Sequence, residues 1–257
     1  MKQSWGIIGV GHLGASLIEG IHRCDSPVSL CLSPRSASRV QALAARFPVE
    51  VGADNQAVVD ACDHVILAVR PDRIIDLALR LRFRPGQIVV SVAAAVNHAS
   101  LESAVGPATA VRAMPVLSAA IGDSPTCIFP ANDAAMDLFQ LLGPIHSFED
   151  EPAFEAAAVA ATYYGWVYAL MNTPAHWLEQ NGVATDTSRA LIAQMTRAAC
   201  NRCLEDGGDL GSMASEIARE GTFTAVGLSL LNERGALDAW NDACQSVLVA
   251  CREGARE

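Results

Sequence analysis

Near the start of the chain, Gly9-Val10-Gly11-His12-Leu13-Gly14 follows an apolar stretch, Trp5-Gly6-Ile7-Ile8, and opens a segment, Ala15 to His22, with helical spacing of apolar residues. The pattern G-x-G-x-x-G between a strand and a helix is suited to holding a dinucleotide. The first glycine permits a tight turn, the second lets the backbone approach a pyrophosphate, and the third lets the helix pack on the strand. The helix start adds unpaired N–H groups and a partial positive charge. Gly9, Gly11 and Gly14 are therefore expected to cradle the phosphates, with the backbone of His12 and Leu13 facing them.

The end of the next strand, Val28 to Ser33, selects the coenzyme. An NAD site usually carries an acidic residue there, about twenty residues after the glycines, to accept from the ribose 2′-OH. This chain has Ser33-Pro34-Arg35-Ser36, with Arg39 one turn on. A guanidinium and hydroxyls suit a 2′-phosphate, which a carboxylate would repel, so NADP (NADPH) is the expected cofactor. The alternative is that Arg35 and Arg39 are solvated charges at an ordinary helix start.

The elements that must position these residues alternate as a doubly wound α/β domain requires. Further strands are expected at Val49–Val51, Asp63–Val69, Gln87–Val92, Thr109–Arg112, Thr126–Phe129 and Ile145–Phe148. Helices are expected between them at 36–46, 55–61, 74–81, 99–105 and 134–142. At Glu149-Asp150-Glu151-Pro152 the texture changes, because acids followed by a first-turn proline start a helix. Only helices are expected after it, at 152–180, 187–205, 210–217, 224–232 and 235–252. The fold class is thus α/β, a Rossmann-type sheet over 1–150 followed by an all-α domain over 151–257. The alanine-rich, nearly uncharged helix after Pro152 needs other helices against it, plausibly those of a second subunit.

Composition narrows the function classes. A formal net charge of −10 without a basic block argues against nucleic acid. The first apolar stretch has no basic n-region or cleavage site, and the low-polarity run Ala156–Met171 is too short and too rich in hydroxyls to span a bilayer. No membrane association and a cytoplasmic location are expected. Of the 8 cysteines, only Cys200-Asn-Arg-Cys203 has metal-like spacing, and no second pair completes a zinc set, so no metal is expected. Lys2 is the only lysine, which leaves no Schiff-base lysine inside the fold.

Taken together, these segments resemble the pyrroline-5-carboxylate reductases, NADPH-dependent enzymes that reduce a cyclic imine to proline. The similarity runs through the glycine turn and Ser33-Pro-Arg35-Ser36. It continues in Leu67-Ala-Val-Arg-Pro71 (family L-A-V-K-P), Ser91-Val-Ala-Ala-Ala-Val96 (S-I-A-A-G-V) and Val111-Arg-Ala-Met-Pro115 (V-R-x-M-P). Gly122 and Thr126 match a G-x-G-x-T stretch, and Gly221-Thr222 through Gly227-Leu228 match G-G-T-T-x-x-G-L. The resemblance implies a nicotinamide near Ala68, Val69, Arg70, Pro71, Ala93, Met114 and Pro115. It also implies a homodimer formed through the C-terminal helices.

Departures from the family fall on the substrate side. Its M-P-N-T-P is Met114-Pro-Val-Leu-Ser118 here, and its S-G-S-G-P-A-Y is Thr162-Tyr-Tyr-Gly-Trp-Val-Tyr168. Its S-P-G-G-T-T is Ala218-Arg-Glu-Gly-Thr-Phe223, which loses the serine and adds Glu220, an acid that would repel a carboxylate. Hydride delivery to C=N or C=O needs a polar contact for the heteroatom, and a phenol can donate a proton. Tyr168 and Tyr164 are accordingly candidate catalytic groups, against a packing role. Thr222 is a candidate substrate contact, against a role as helix cap. The expected substrate is a small imine or carbonyl compound, pyrroline-5-carboxylate or one that suits the altered pocket. The other class left open is an NADP-binding sensor or partner protein without catalysis.

Overall fold

In the computed structural model, which describes residues 3–24 and 26–254, contacts divide the chain into two compact units. One comprises Met1–Ala161 with Leu248–Glu257, the other Thr162–Val247. Lys2 lies outside the described residues.

The first unit holds eight strands: β1 (Ser4–Ile8), β2 (Ser29–Leu32), β3 (Val49–Val51), β4 (His64–Leu67), β5 (Ile88–Ser91), β6 (Thr109–Met114), β7 (Thr126–Phe129) and β8 (Ile145–Ser147). They form one sheet in the order β3-β2-β1-β4-β5-β6-β7-β8. Neighbours run parallel except at β6–β7, where Ala113 faces Ile128 in an antiparallel pair. The first six strands have the 3-2-1-4-5-6 order of a dinucleotide-binding sheet. Between the strands run α1 (His12–Arg23), α2 (Ala37–Ala44), α3 (Asn55–Ala61), α4 (Pro71–Leu79), α5 (His98–Val105) and α6 (Asp133–Gln140).

Successive strand residues face opposite ways, so the continuous apolar runs serve two cores. Ile7, Ile66 and Val90 join Leu17, Ile18 and Phe139 in one. Ile8, Leu67 and Val89 join Val58, Ile74 and Leu101 in the other. Each such side chain contributes about 1.5–3 kcal/mol through burial. Close approach of α1 depends on Gly20, where an added Cβ would lie 2.0 Å from the Ala119 carbonyl oxygen.

Several boundaries differ from those read in the sequence. Helix α1 starts at His12, three residues before Ala15, and α4 starts at Pro71 rather than Ile74, with the proline in its first turn. A proline lacks the N–H that a first turn leaves unused, which makes it a natural start.

A long helix, α7 (Glu151–Gln180), begins in the first unit and supplies the opening of the second, which continues with α8 (Thr185–Asp206), α9 (Leu210–Ile217), α10 (Phe223–Glu233) and the part of α11 (Ala236–Gly254) up to Val247, the rest of α11 counting with the first unit. The only buried residues of α7 are Phe154 and Val159, Ser188 is the only one in α8, and α9, α10 and α11 have none. Apolar side chains such as Met195, Leu204 and Phe223 stand exposed.

Candidate active site

Order reverses between β1 and β4, since the chain builds outward through β2 and β3 and then resumes on the other side of β1. Crevices at such a reversal, beyond the carboxyl ends of the strands, are where ligands bind in open α/β sheets. Here the strand ends stay tied beyond the ladder. Ser33 N donates to Ile7 O (3.0 Å), Ala68 N to Ile8 O (2.8 Å) and Val92 N to Leu67 O (3.1 Å). The residues that follow β2, β1, β4 and β5 are thereby held side by side.

Each glycine of the turn has its own reason to be there. Gly9 has φ +103°, and a Cβ on it would lie 2.6 Å from the Ala68 carbonyl oxygen and 2.8 Å from Val69 Cγ1. A Cβ on Gly14 would lie 2.6 Å from Gly9 O, so only glycine lets α1 close on the turn. Gly11 differs from both, because a Cβ there meets nothing within 4 Å. Its open side is the one through which a phosphate can approach the backbone.

The helix starts around this turn are bare. Elsewhere in this unit Asp54 caps Ala57 N, Asn97 caps Ser100 N and Asn132 caps Ala135 N. By contrast α1, α2 and α4 begin at Gly11, Ser36 and Arg70 without any side-chain cap. First-turn amides with no internal partner are donors for an anion. A dinucleotide diphosphate fits them.

The coenzyme-selecting loop divides into roles that spacing alone does not separate. Ser33 is fully buried and its Oγ accepts from Gly9 N at 3.1 Å, so it braces the turn instead of presenting a hydroxyl to a ligand. Arg35 and Ser36 are exposed, and Ser36 holds a left-handed φ of 74° ahead of α2. Arg39, read in the sequence only as a neighbour, donates to the Val10 carbonyl at 3.3 Å. That contact brings its guanidinium to the glycine turn, a link across 29 residues with no local signal in the sequence.

Along the remaining strand ends, Ala68 and Val69 are half-buried while Ala93, Met114 and Pro115 are buried. Arg70 points to solvent, where Asp72 Oδ1 lies 3.3 Å away. Ala95, at the position where the resembled pattern has glycine, takes φ 54°. His12 is exposed, and its carbonyl receives Ser16 Oγ at 3.1 Å.

Below this edge lies a buried ion pair. Arg112 on β6 is 4% exposed and donates to Glu151 Oε1 at 2.5 Å. The same carboxylate oxygen accepts from His98 N at 2.7 Å. The guanidinium lies 4.6 Å from the Phe154 ring centroid, and its Nε has no hydrogen-bond partner among the described residues. Burial pulls the Arg112 pKa down while Glu151 pushes it up. In the sequence Glu151 is legible only as a helix-start acid; in the fold it anchors α7 to the sheet.

The substrate-side candidates all lie in the helical unit. Tyr164 and Tyr168 share a hydrogen bond between their hydroxyls at 2.8 Å, with their rings edge to face. Tyr163 and Trp166 instead contact Trp240. Thr222 caps α10, its Oγ1 accepting from Ala225 N (3.1 Å) and donating to Arg219 O (2.8 Å). A hydroxyl has one proton, so this one can offer a substrate only a lone pair. His176 is tied to Glu179 and Gln180 along α7. Among the described residues no group of three or more His, Cys, Asp or Glu is placed to hold a metal ion.

The chain is similar to known proteins along most of its length. The family model described as NADP oxidoreductase coenzyme F420-dependent matches residues 4–95. The chain is 25% identical to pyrroline-5-carboxylate reductase 1 of Bacillus subtilis (strain 168), over 96% of this chain and 87% of that protein. With the pyrroline-5-carboxylate reductase of Methanosarcina acetivorans the identity is 23%, over 94% of each. Among solved structures, that of 1-pyrroline-5-carboxylate reductase from Streptococcus pyogenes matches with a TM-score of 0.87 at 22% identity, over 98% of each chain. A pyrroline carboxylate reductase of Plasmodium falciparum with NADP bound matches at 0.86 and 19%, over 99% of each.

Proposed function

We propose that the chain, which is similar over most of its length to pyrroline-5-carboxylate reductases, is a member of that family and an NADPH-dependent reductase of a small imine. The observation that carries this reading is the glycine turn ringed by three uncapped helix starts, with Gly11 open to solvent.

Bound there, NADPH would supply a hydride to the carbon of a C=N bond. The amides that open α1, with Gly11, His12, Leu13 and Gly14, bind the pyrophosphate. Arg35 and Ser36 bind the 2′-phosphate, and Arg39 adds its charge beside them. Ala68 to Pro71, Ala93, Met114 and Pro115 form the surface against which the nicotinamide rests. An imine that arrives protonated keeps its proton on nitrogen and leaves as a neutral amine, so no acid on the protein has to act. For a carbonyl substrate the linked phenols of Tyr164 and Tyr168 are the proton source, and Thr222 is a substrate contact.

The protein works as a homodimer through its C-terminal helices. Supporting this, α9 to α11 bury none of their residues, and Leu204 and Phe223 are 82% and 95% exposed. Helices with apolar faces need a partner to exclude water from them. No helix of the described residues is long and apolar enough to cross a membrane.

The test is loss of reduced-coenzyme absorbance when protein and NADPH meet a panel of cyclic imines and 2-oxo acids. Imine-dependent consumption, with NADPH preferred to NADH, is the expected result. Tight NADPH binding without turnover on any compound would replace the enzyme reading with that of a coenzyme-binding sensor.

A further inference from the structure

Residues 93–97 lead from β5 into α5 and include Ala93, part of the surface assigned to the nicotinamide. Both ends of this segment are pinned. Ala93 N donates to Ser91 Oγ at 3.4 Å, and His98 N, at the start of α5, donates to Glu151 Oε1 at 2.7 Å. Between the pins, half-buried Ala95 takes φ 54°. Glycine holds that left-handed conformation freely, whereas a residue with a Cβ adopts it at a cost. Such a residue persists only where its surroundings hold it. The last turn of α11 stands beside it: a Cβ on Gly254 would lie 3.5 Å from Ala95 Cβ, an ordinary van der Waals distance.

That turn is itself fastened. Arg252 Nε donates to Oε2 of the half-buried Glu155, near the start of α7, at 2.9 Å. Cys251, one residue earlier, lies within reach of the same charges: burial and Glu155 push its thiol up, while Arg112 pulls it down. This end of α11 belongs to the same compact unit as β5, α5 and the start of α7. Resting on the reading that the nicotinamide lies against Ala93, we propose that Ala95 and Arg252 are positioning residues for the coenzyme. The Arg252–Glu155 pair fastens the last turn of α11, which bears on the Ala95 methyl and keeps residues 93–97 in the shape that the nicotinamide meets. Neither residue has to touch the ring. A segment already set in its binding conformation loses less entropy when a ligand docks. Alanine at a glycine-like position serves this end, because its methyl narrows backbone freedom and gives α11 something to bear on.

The experiment measures Kd by calorimetry for NADPH and for adenosine 2′,5′-bisphosphate, which carries the 2′-phosphate and the adenosine but no nicotinamide. It uses the full chain and its Ala95→Gly, Arg252→Gln and Arg252→Lys forms, with thermal melts alongside. Ala95→Gly should weaken NADPH about three- to tenfold and leave the bisphosphate unchanged. Its melting temperature should not fall, because glycine relieves the left-handed strain. Arg252→Gln should weaken NADPH about two- to fivefold with the same selectivity, and Arg252→Lys, which keeps the ion pair, should bind as the unsubstituted protein does. Combining Ala95→Gly with Arg252→Gln should weaken NADPH no further than the worse single change, since both act on one contact. NADPH affinity untouched by Ala95→Gly, or equal weakening of both ligands, overturns the positioning role and leaves the coenzyme site standing. If the unsubstituted protein binds neither ligand, the coenzyme reading falls and this inference falls with it.

Discussion

Substituting Gly11 by alanine separates coenzyme binding from folding. The added methyl meets no protein atom within 4 Å, and the backbone there, at φ −81° and ψ −159°, suits any L-residue. At an N-cap the change from glycine to alanine costs at most about 1 kcal/mol. The methyl does stand where a phosphate must approach the α1 amides. Losing or lengthening one or two charge-assisted N–H bonds weakens binding by about 2–3 kcal/mol, or roughly 30- to 150-fold in Kd. Gly9→Ala is the contrasting case. Its φ of +103° costs an L-residue about 1–2 kcal/mol. Its Cβ also clashes with the Ala68 carbonyl, for a further cost of about 1–3 kcal/mol. Thermal melts should show Gly11→Ala unfolding close to the unsubstituted protein and Gly9→Ala well below it, while a fluorescence titration shows Gly11→Ala binding NADPH weakly. If Gly11→Ala binds NADPH with unchanged affinity, the open face of the turn is not where the phosphates rest.

Arg35→Ala should lower the preference for NADPH over NADH about tenfold or more, read as a ratio of Kd values, since a charged donor to phosphate is worth about 1.5–3 kcal/mol. An unchanged ratio would make Arg35 a solvated charge. Glu151→Ala should destabilise the fold by about 3–5 kcal/mol, because it strands the buried Arg112 guanidinium; a loss under about 1 kcal/mol in calorimetry contradicts that role. Burial holds His64 and His98 below the ordinary histidine range, and the Nδ1 of each lacks a partner among the described residues. Glu151 and Glu102 oppose the shift at His98, whereas Arg112 reinforces it. Between the ordinary and the depressed value the unfolded chain binds more protons, so stability is full above about pH 6.5 and falls as pH drops below it. Denaturant midpoints that stay flat from pH 7 to about pH 5 would refute this.

Much of the first unit was legible because its signals are local. The apolar runs of β1, β4 and β5 are buried on both faces, so they read as strands without alternation, and the glycine turn reads by its spacing. Pro71 was itself a start signal for α4, yet the apolar periodicity of Ile74 onward drew the boundary three residues late. What stayed hidden depends on contacts far apart in the chain. Ser33 is a bracing residue only because β2 lies beside β1, and Arg39 reaches Val10 only once α2 has packed. Glu151 and Arg112 are 39 residues apart, with nothing in either segment to announce the other. Thr222 was readable as a cap or as a substrate contact, and its hydrogen bonds favour the cap while leaving it a lone pair to offer.

Hydride transfer to an imine carbon is tested most directly with NADPH deuterated at the reactive carbon of its nicotinamide, on each face in turn. The amine product would then be analysed by mass spectrometry. One deuterium at the former imine carbon, delivered from one face only, is the predicted result. Amine product without deuterium from either face, or no amine at all while NADPH stays bound and intact, would contradict the account.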